Sequence, residues 1–332
     1  MKIFYAVQAT GNGHIARAIE LLPYLQQYGT VDIFLSGNNS SLQTGLPVRY
    51  KSKGVSLYYT QGGGLDYIRM MKEFSARRVW KEAKDLPVEN YDCVLVDFES
   101  IAALSCRLKK VSCIGFGHQA SFQSAKVPRP AIKNIAGEWI LKYYAPSTVY
   151  TGLHFKQYDH FIFNPVIKDV ILKAEPDNKN HITVYLPQYN DDLLVSYFRQ
   201  LKDVPFHLFS KTAKSLSIQE NVIIQPVNNN AFNKSIINCF GVITGAGFET
   251  PAEILYLGKK LLCIPIKGQY EQKCNAAALK DFNVPVIESI DENFVETIIN
   301  WLQQHKPKQL QLPHSTEDIV AFVMQQAKRL IC

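Results

Sequence analysis

The chain has 332 residues, 47% hydrophobic and 20% charged, a balance that excludes fibrous and disordered classes and at this length favours two domains with separate cores. Its formal net charge of +7 favours acidic partners such as nucleotides, phosphorylated lipids or an anionic membrane surface. The basic residues are scattered, however, and no nucleic-acid-binding signature accompanies them. Seven cysteines lie mostly in apolar runs without a CxxC pair or a His cluster, so they read as reduced packing residues with no structural metal. The first apolar run is too short for a signal peptide or a spanning helix, and a cytoplasmic protein is expected.

In chain order, KIFYAV (Lys2–Val7) reads as a strand and TGNGH as a tight turn. Ile15, Ile19, Leu22 and Leu25 then repeat near helical spacing. Gly11, Asn12 and Gly13 make the turn, with Asn12 suited to a positive φ, and Arg17 is placed to reach a phosphate or solvent. The apolar runs VDIFLSG, GVSLYYT, YDCVLVDFE and VSCIGFG follow, separated by amphipathic or polar segments, and DHFIFNP closes this half. Within it, the segment TQGGGLDYIRMMKEFSARRVW (60–80) carries three glycines and then an amphipathic pattern. It serves either as an acceptor loop touching lipid or as core packing.

Lys173 to His181 is polar and reads as a linker, after which the alternation restarts: ITVYLP, a helix near Asp191–Leu201, PFHLFS, NVIIQPV, a helix near Ala231–Cys239, GVITGAG, a helix from Pro251, KKLLCIPI, a helix from Gln272, and VPVIES. Helices near Glu292–Gln304 and Glu317–Ile331 end the chain. Strand–helix alternation in both halves predicts an α/β protein of two doubly wound, Rossmann-like domains facing across a cleft: residues 1–165, residues 181–310, and a terminal segment 311–332 packing back on the first domain. Ligands in such sheets lie at the carboxyl ends of the strands, where both glycine turns fall.

The second turn, Gly245-Ala246-Gly247-Phe248, is the richer one. Thr250, Pro251 and Glu253 read as cap, first-turn proline and an acidic residue three on, and Gly258 as the helix stop. Such a helix start suits a diphosphate. Glu253 can equally close a capping box on Thr250. After the next strand, Gln269, Glu271, Gln272 and Asn275 gather at a strand-to-helix junction, where they could bracket sugar hydroxyls or simply begin a solvated helix.

The stretch from Gly241 to Ala276 resembles the nucleotide-sugar-binding segment of GT-B glycosyltransferases, notably the MurG type and the UDP-glycosyltransferases. Their pattern G-x-x-[ST]-x-x-E, a glycine, a strand ending in Pro, then [DE]-Q-x-x-N-A is matched by Gly247, Thr250, Glu253, Gly258, Pro265, Glu271, Gln272, Asn275 and Ala276. With its GNGH, DFE and GFET segments, the whole chain is similar to a family of prokaryotic MurG-like GT-B proteins. The resemblance implies a GT-B fold and a transferase moving a sugar from a nucleotide-diphosphate sugar, the co-substrate, to a sugar or lipid-linked acceptor, with no other cofactor. It makes the first domain the acceptor side and the second the donor side. Glu253 would hold the ribose, Thr250 and the preceding glycines the phosphates, and Glu271 with Gln272 the donor sugar. Glu249, inside the phosphate turn, would repel a diphosphate unless it points away.

Gly13 and His14 match the Gly-His pair of the same families. His14 is the candidate base of an inverting transfer, with positioning and purely structural roles also open. Asp97, ending CVLVD, either orients the imidazole or caps a loop, and His118 on the same rim is a candidate acceptor contact. No DxD-like pair stands in the donor segment, so metal-independent transfer is expected, with the helix dipole and Lys267 facing the leaving diphosphate. Two rivals share the architecture: a nucleotide-sugar 2-epimerase, relying on Glu249, Glu271 and Asp97, and a non-catalytic nucleotide-sugar-binding protein. A lipid-linked or polysaccharide acceptor at the inner membrane face fits the basic charge.

Overall fold

A computed structural model describes residues 1–9, 11–37, 45–54 and 75–331. The first half runs β1 (Lys2–Gln8), α1 (Asn12–Gln26), β2 (Thr30–Ser36), β3 (Val48–Ser52), α2 (Ala76–Asp85), β4 (Cys93–Asp97), α3 (Ser100–Lys109), β5 (Ile114–Gly117), α4 (Ile135–Tyr143), β6 (Val149–Leu153) and β7 (Ile162–Phe163). These strands form one sheet in the order β3-β2-β1-β4-β5-β6-β7, parallel at every pairing. Side chains alternate across β1: Ile3, Tyr5 and Val7 face a core shared with α1, while Phe4 and Ala6 face a second core with Val94, Val96 and α3. Helices on both faces explain why β1 is apolar without a break.

A short α5 (Asp169–Leu172) leads into the second half: β8 (Ile182–Tyr185), α6 (Asp191–Phe198), β9 (Phe206–Ser210), β10 (Ser217–Gln219), β11 (Val222–Pro226), α7 (Asn229–Asn238), β12 (Gly241–Thr244), α8 (Glu249–Tyr256), β13 (Lys260–Cys263), α9 (Tyr270–Leu279), α10 (Phe294–Gln303) and α11 (Thr316–Ile331). The second sheet runs β10-β11-β9-β8-β12-β13, with only β10 antiparallel, at the edge. Ser315 and Asp318 start α11 with a reciprocal cap. Its Ile319, Val323 and Ala327 then pack into the core beneath β1 and α1, and Gln326 bonds Thr151 of β6 at 2.7 Å.

Several elements differ from the sequence expectation. Strands 48–52, 149–153 and 217–219 and helix 135–143 were not expected. Gly152 disguises β6, yet a Cβ there would lie 2.6 Å from the Ser121 backbone. VPVIES makes a single bridge, Val286 to Cys263, rather than a strand. Most of GVSLYYT and the 60–74 part of the acceptor-loop segment lie outside the described residues. Six cysteines are buried and free. Among the described residues no helix is long and apolar enough to cross a membrane, and no group of three or more His, Cys, Asp or Glu could hold a metal.

Candidate active site

β1 and β4 are neighbours in register, Val7 beside Asp97, so their carboxyl ends deliver the first glycine turn and Asp97 to the same sheet edge. The chain leaves β4 through Phe98 at φ 52, a left-handed conformation costly for an aromatic residue and typical of functional turns. Gly117, ending β5 at φ +145, is required twice over: a Cβ there would sit 2.6 Å from Asp97 Oδ1 and 3.1 Å from Arg17 Nη2.

Into that space the fold packs a charge network. Asp97 is fully buried, with His14 Nδ1 at 2.9 Å from its Oδ1 and Arg17 Nη2 donating to both carboxylate oxygens at 2.7 and 2.8 Å. Nη2 also lies 3.0 Å from His14 Nδ1. The guanidinium can only donate to that nitrogen and the carboxylate can only accept from it, so the tautomer in which His14 donates to Asp97 carries its proton on Nδ1 and has Nε2 as the basic nitrogen. Burial pushes the Asp97 carboxyl up, but the Arg17 guanidinium and the His14 imidazole outweigh it and hold the group below the usual carboxylate range. Asp97 therefore orients the imidazole and is not a loop cap.

Arg17 reaches further. Its Nη1 pairs with Glu249 of the second domain, whose carboxylate lies against Gly13 so closely that a Cβ there would meet Oε2 at 2.9 Å. Glu249 thus turns toward the arginine, and Arg17, 3% exposed, is neither solvated nor free. Asn12 is the first residue of α1 and has no positive φ, contrary to the expectation for it.

The helix after the second turn begins at Glu249, with Phe248 as its N-cap and no side-chain cap. Thr250 is therefore inside the helix and the capping box does not form. Glu253, 2% exposed, instead pairs with Lys168 at 3.1 Å, and Lys168 also donates to Asn233 at 3.2 Å. Burial raises the Glu253 carboxyl and Lys168 opposes the rise. Gly258, at φ +63 just past the helix, is the expected stop.

The polar residues of the donor segment are placed in two ways. Gln272 Oε1 accepts from the Ile266 amide at 2.9 Å, and Asn275 donates to the Ala246 carbonyl at 3.1 Å, so both hold the loops from inside. Glu271 accepts from Gln119 of the first domain at 3.0 Å, and the buried Gln269 Oε1 has no protein partner. His118 is a buried seam residue. It stacks flat on Phe248 with centroids 3.9 Å apart, its Nδ1 donates to the Leu153 carbonyl at 3.0 Å, and its Nε2 lies 2.8 Å from the Asn275 amide. Burial holds its pKa down.

Between the domains lies an open cleft, roughly 490 Å³ with the solvent at its mouth, whose lining joins Asn12 and Gly13 of the first turn to Glu249 and Thr250 at the start of α8, with Lys168, Tyr185, Val227, Asn229 and Phe232 alongside. Among the described residues, and chain neighbours apart, no atom stands within 4 Å of where a Cβ would be on Gly11 or Gly247, while Gly245 faces Gln272 at 3.3 Å. A second, narrow cavity, with room for little more than one water, lies beside Asp97 and Phe98 and is lined by Gly117, Gln119, Leu141 and Tyr150. Sequence reasoning missed Gly117 and Lys168 and left Arg17 between phosphate and solvent. The Gly inside GFGH was the only available signal for Gly117, and nothing local marks Lys168.

The family model described as glycosyl transferase family 1 matches residues 1–303. The chain belongs to glycosyl transferase family 1. Its fold is GT-B and it is a glycosyltransferase. Similar solved structures include UGT89C1 of Arabidopsis thaliana complexed with UDP-L-rhamnose, at 11% identity and TM-score 0.62 over 100% of this chain and 99% of that one. MurG of Acinetobacter baumannii aligns at 14% identity and TM-score 0.56, covering 98% of this chain and 99% of that one. The glycotransferase of kitacinnamycin aligns at 14% and 0.59, covering 99% and 98%. No curated protein matches the sequence.

Proposed function

We propose that this family 1 member is an inverting, metal-independent transferase that moves a sugar from a nucleotide-diphosphate sugar to an acceptor hydroxyl, a lipid-linked or polysaccharide acceptor being favoured. The observation that carries the reading is the shared cleft: Gly13 of the first turn and the start of α8 after the second both line it, and a buried carboxylate holds His14, the residue next to Gly13. In the reaction the acceptor oxygen loses its proton to His14 Nε2 as it attacks the anomeric carbon, while the bond from that carbon to the β-phosphate oxygen breaks. The amides at the start of α8, which carry no side-chain cap, face the charge on the leaving diphosphate, and Lys267 adds a cation from the next loop.

Two rearrangements accompany donor binding on this reading. Glu249 leaves Arg17, so that the diphosphate is not faced by a carboxylate. Lys168 yields one of its bonds to Glu253, and the lysine–glutamate pair then offers a donor and an acceptor to the ribose. The UDP complex of the Arabidopsis neighbour supports uridine as the first base to try. Of the acidic residues that an epimerase would use, Glu271 is engaged by Gln119 and Asp97 by His14 and Arg17, which favours transfer. A thermal-shift screen across UDP-, GDP- and dTDP-sugars tests the reading: a donor that binds the native state raises the melting midpoint. Release of a new free sugar from UDP-GlcNAc without acceptor would turn the assignment to an epimerase, and an absence of any shift would remove the donor site.

A further inference from the structure

Helix α4 is amphipathic in the opposite sense to a core helix. Its inner face is fixed: Gly137 lies so close to Tyr270 that a Cβ would meet the ring at 2.4 Å. Glu138 is held by Arg129 at 2.7 Å and by the Tyr270 hydroxyl at 2.6 Å, and Leu141 is buried. The outer face carries Ile135 at 88% exposure, Trp139 at 61% and Tyr143 at 51%, and Ile132, in the bend before the helix, is 89% exposed. The spacing of four and four residues puts the three helical side chains on one stripe, and Ile140, 44% exposed, widens it. A contiguous apolar patch of this kind on a folded domain marks a contact surface.

The charges around the stripe identify the partner. Lys133 and Lys142 are exposed beside it, with the Lys142 ammonium 5.6 Å from the Tyr143 ring centroid. The one acidic side chain of the helix, Glu138, is already neutralised by Arg129. Aliphatic side chains flanked by Trp, Tyr and uncompensated lysines match the interfacial zone of a bilayer with anionic head groups, where rings settle at head-group depth and each lysine adds attraction. A second protein would equally cover isoleucines but would not call for a lysine at each end of the stripe.

We propose that α4 docks the enzyme on an anionic lipid surface. The place of the helix gives docking a purpose: Leu141, on its buried face, lines the small cavity beside Asp97 and Phe98, so docking would set the side of the domain that carries the His14–Asp97 pair against the surface where a lipid-held acceptor sits. That purpose rests on the lipid-linked acceptor reading, whereas docking itself is measured without donor or acceptor.

The test is flotation of the full chain with phosphatidylcholine vesicles, with and without phosphatidylglycerol. Wild type is expected to bind the anionic vesicles well above the neutral ones. The double variant Ile135→Ser/Trp139→Ser should lose at least roughly tenfold of that binding. Lys133→Glu/Lys142→Glu should lose roughly fivefold per charge on anionic vesicles only. An unchanged melting midpoint and an unchanged shift with donor would show that the variants fold. Equal binding of wild type to both vesicle types, retention by the double variant, or a wild-type dimer that Trp139→Ser makes monomeric would overturn the proposal. A failed donor screen with intact flotation would instead count only against the transferase reading.

Discussion

The two glycine turns share one local grammar: a buried parallel strand, a Gly-x-Gly turn and a helix with no side-chain cap. What they hold is opposite. The first is filled with charge, His14, Asp97 and Arg17 packed around a glycine-only corner at Gly117. The second is walled by Ala246, Phe248 and Ala252, all buried, with acidic residues only at Glu249 and Glu253. Elsewhere α2, α3, α4 and α6 are capped by Ser75, Glu99, Asn134 and Asn190, and α7, whose Asn229 and Phe232 also line the cleft, by Asn228. The contrast is what the proposed function asks for: on that reading the first turn moves a proton and the second leaves amides available to an anion.

The sharpest way to break that division is to remove the imidazole. His14→Ala should lower kcat by about 10²–10⁴-fold with donor affinity nearly unchanged, read from steady-state kinetics beside calorimetric binding. Weakened donor affinity as the main effect would move His14 to the binding side. Next comes Asp97→Asn, which leaves the buried Arg17 with Glu249 as its remaining carboxylate and should cost about 3–5 kcal/mol by denaturant unfolding. The pH sign follows from a folded carboxyl held below its unfolded value. Its stabilisation is complete above the ordinary carboxylate range and is lost as pH falls through the lower folded value. The acid limb of stability should therefore be shallower in Asp97→Asn than in wild type.

Gly117→Ala tests whether the corner is needed. A Cβ at φ +145, 2.6 Å from Asp97, should cost about 1–3 kcal/mol and reduce turnover by displacing the carboxylate from His14. The smallest effect is expected at a capped helix far from the chemistry. Ser75→Ala at the start of α2, which removes the acceptor for the Arg78 amide, should cost about 1 kcal/mol and leave kinetics alone. Equal kinetic damage at Ser75 and Gly117 would erase the distinction between the two kinds of helix start.

Strand, turn and helix were legible at both turns because alternation, glycine spacing and the stop at Gly258 are local signals. So was His14 beside Asp97, since both residues follow strand ends. The start of α8 was misread because Thr250-Pro251 is a strong local cap signal, whereas the chain begins the helix at Glu249 and uses Glu253 for an ion pair. Arg17 with Glu249, 232 residues apart, and Lys168 with Glu253 depend on how two sheets are set against each other, which no window of sequence records. β3 was obscured for a different reason: as an edge strand its VRYKS side chains are half exposed and lack a continuous apolar run.

The central claim is that binding and proton transfer reside in different turns of one cleft. The most direct measurement is calorimetric titration of the best donor from the nucleotide-sugar screen into wild type, His14→Ala and Glu253→Ala, with turnover measured on the same samples. The account predicts donor binding by wild type and His14→Ala, none by Glu253→Ala, and turnover by wild type alone. Donor binding by Glu253→Ala at wild-type affinity, or turnover by His14→Ala at the wild-type rate, would contradict it.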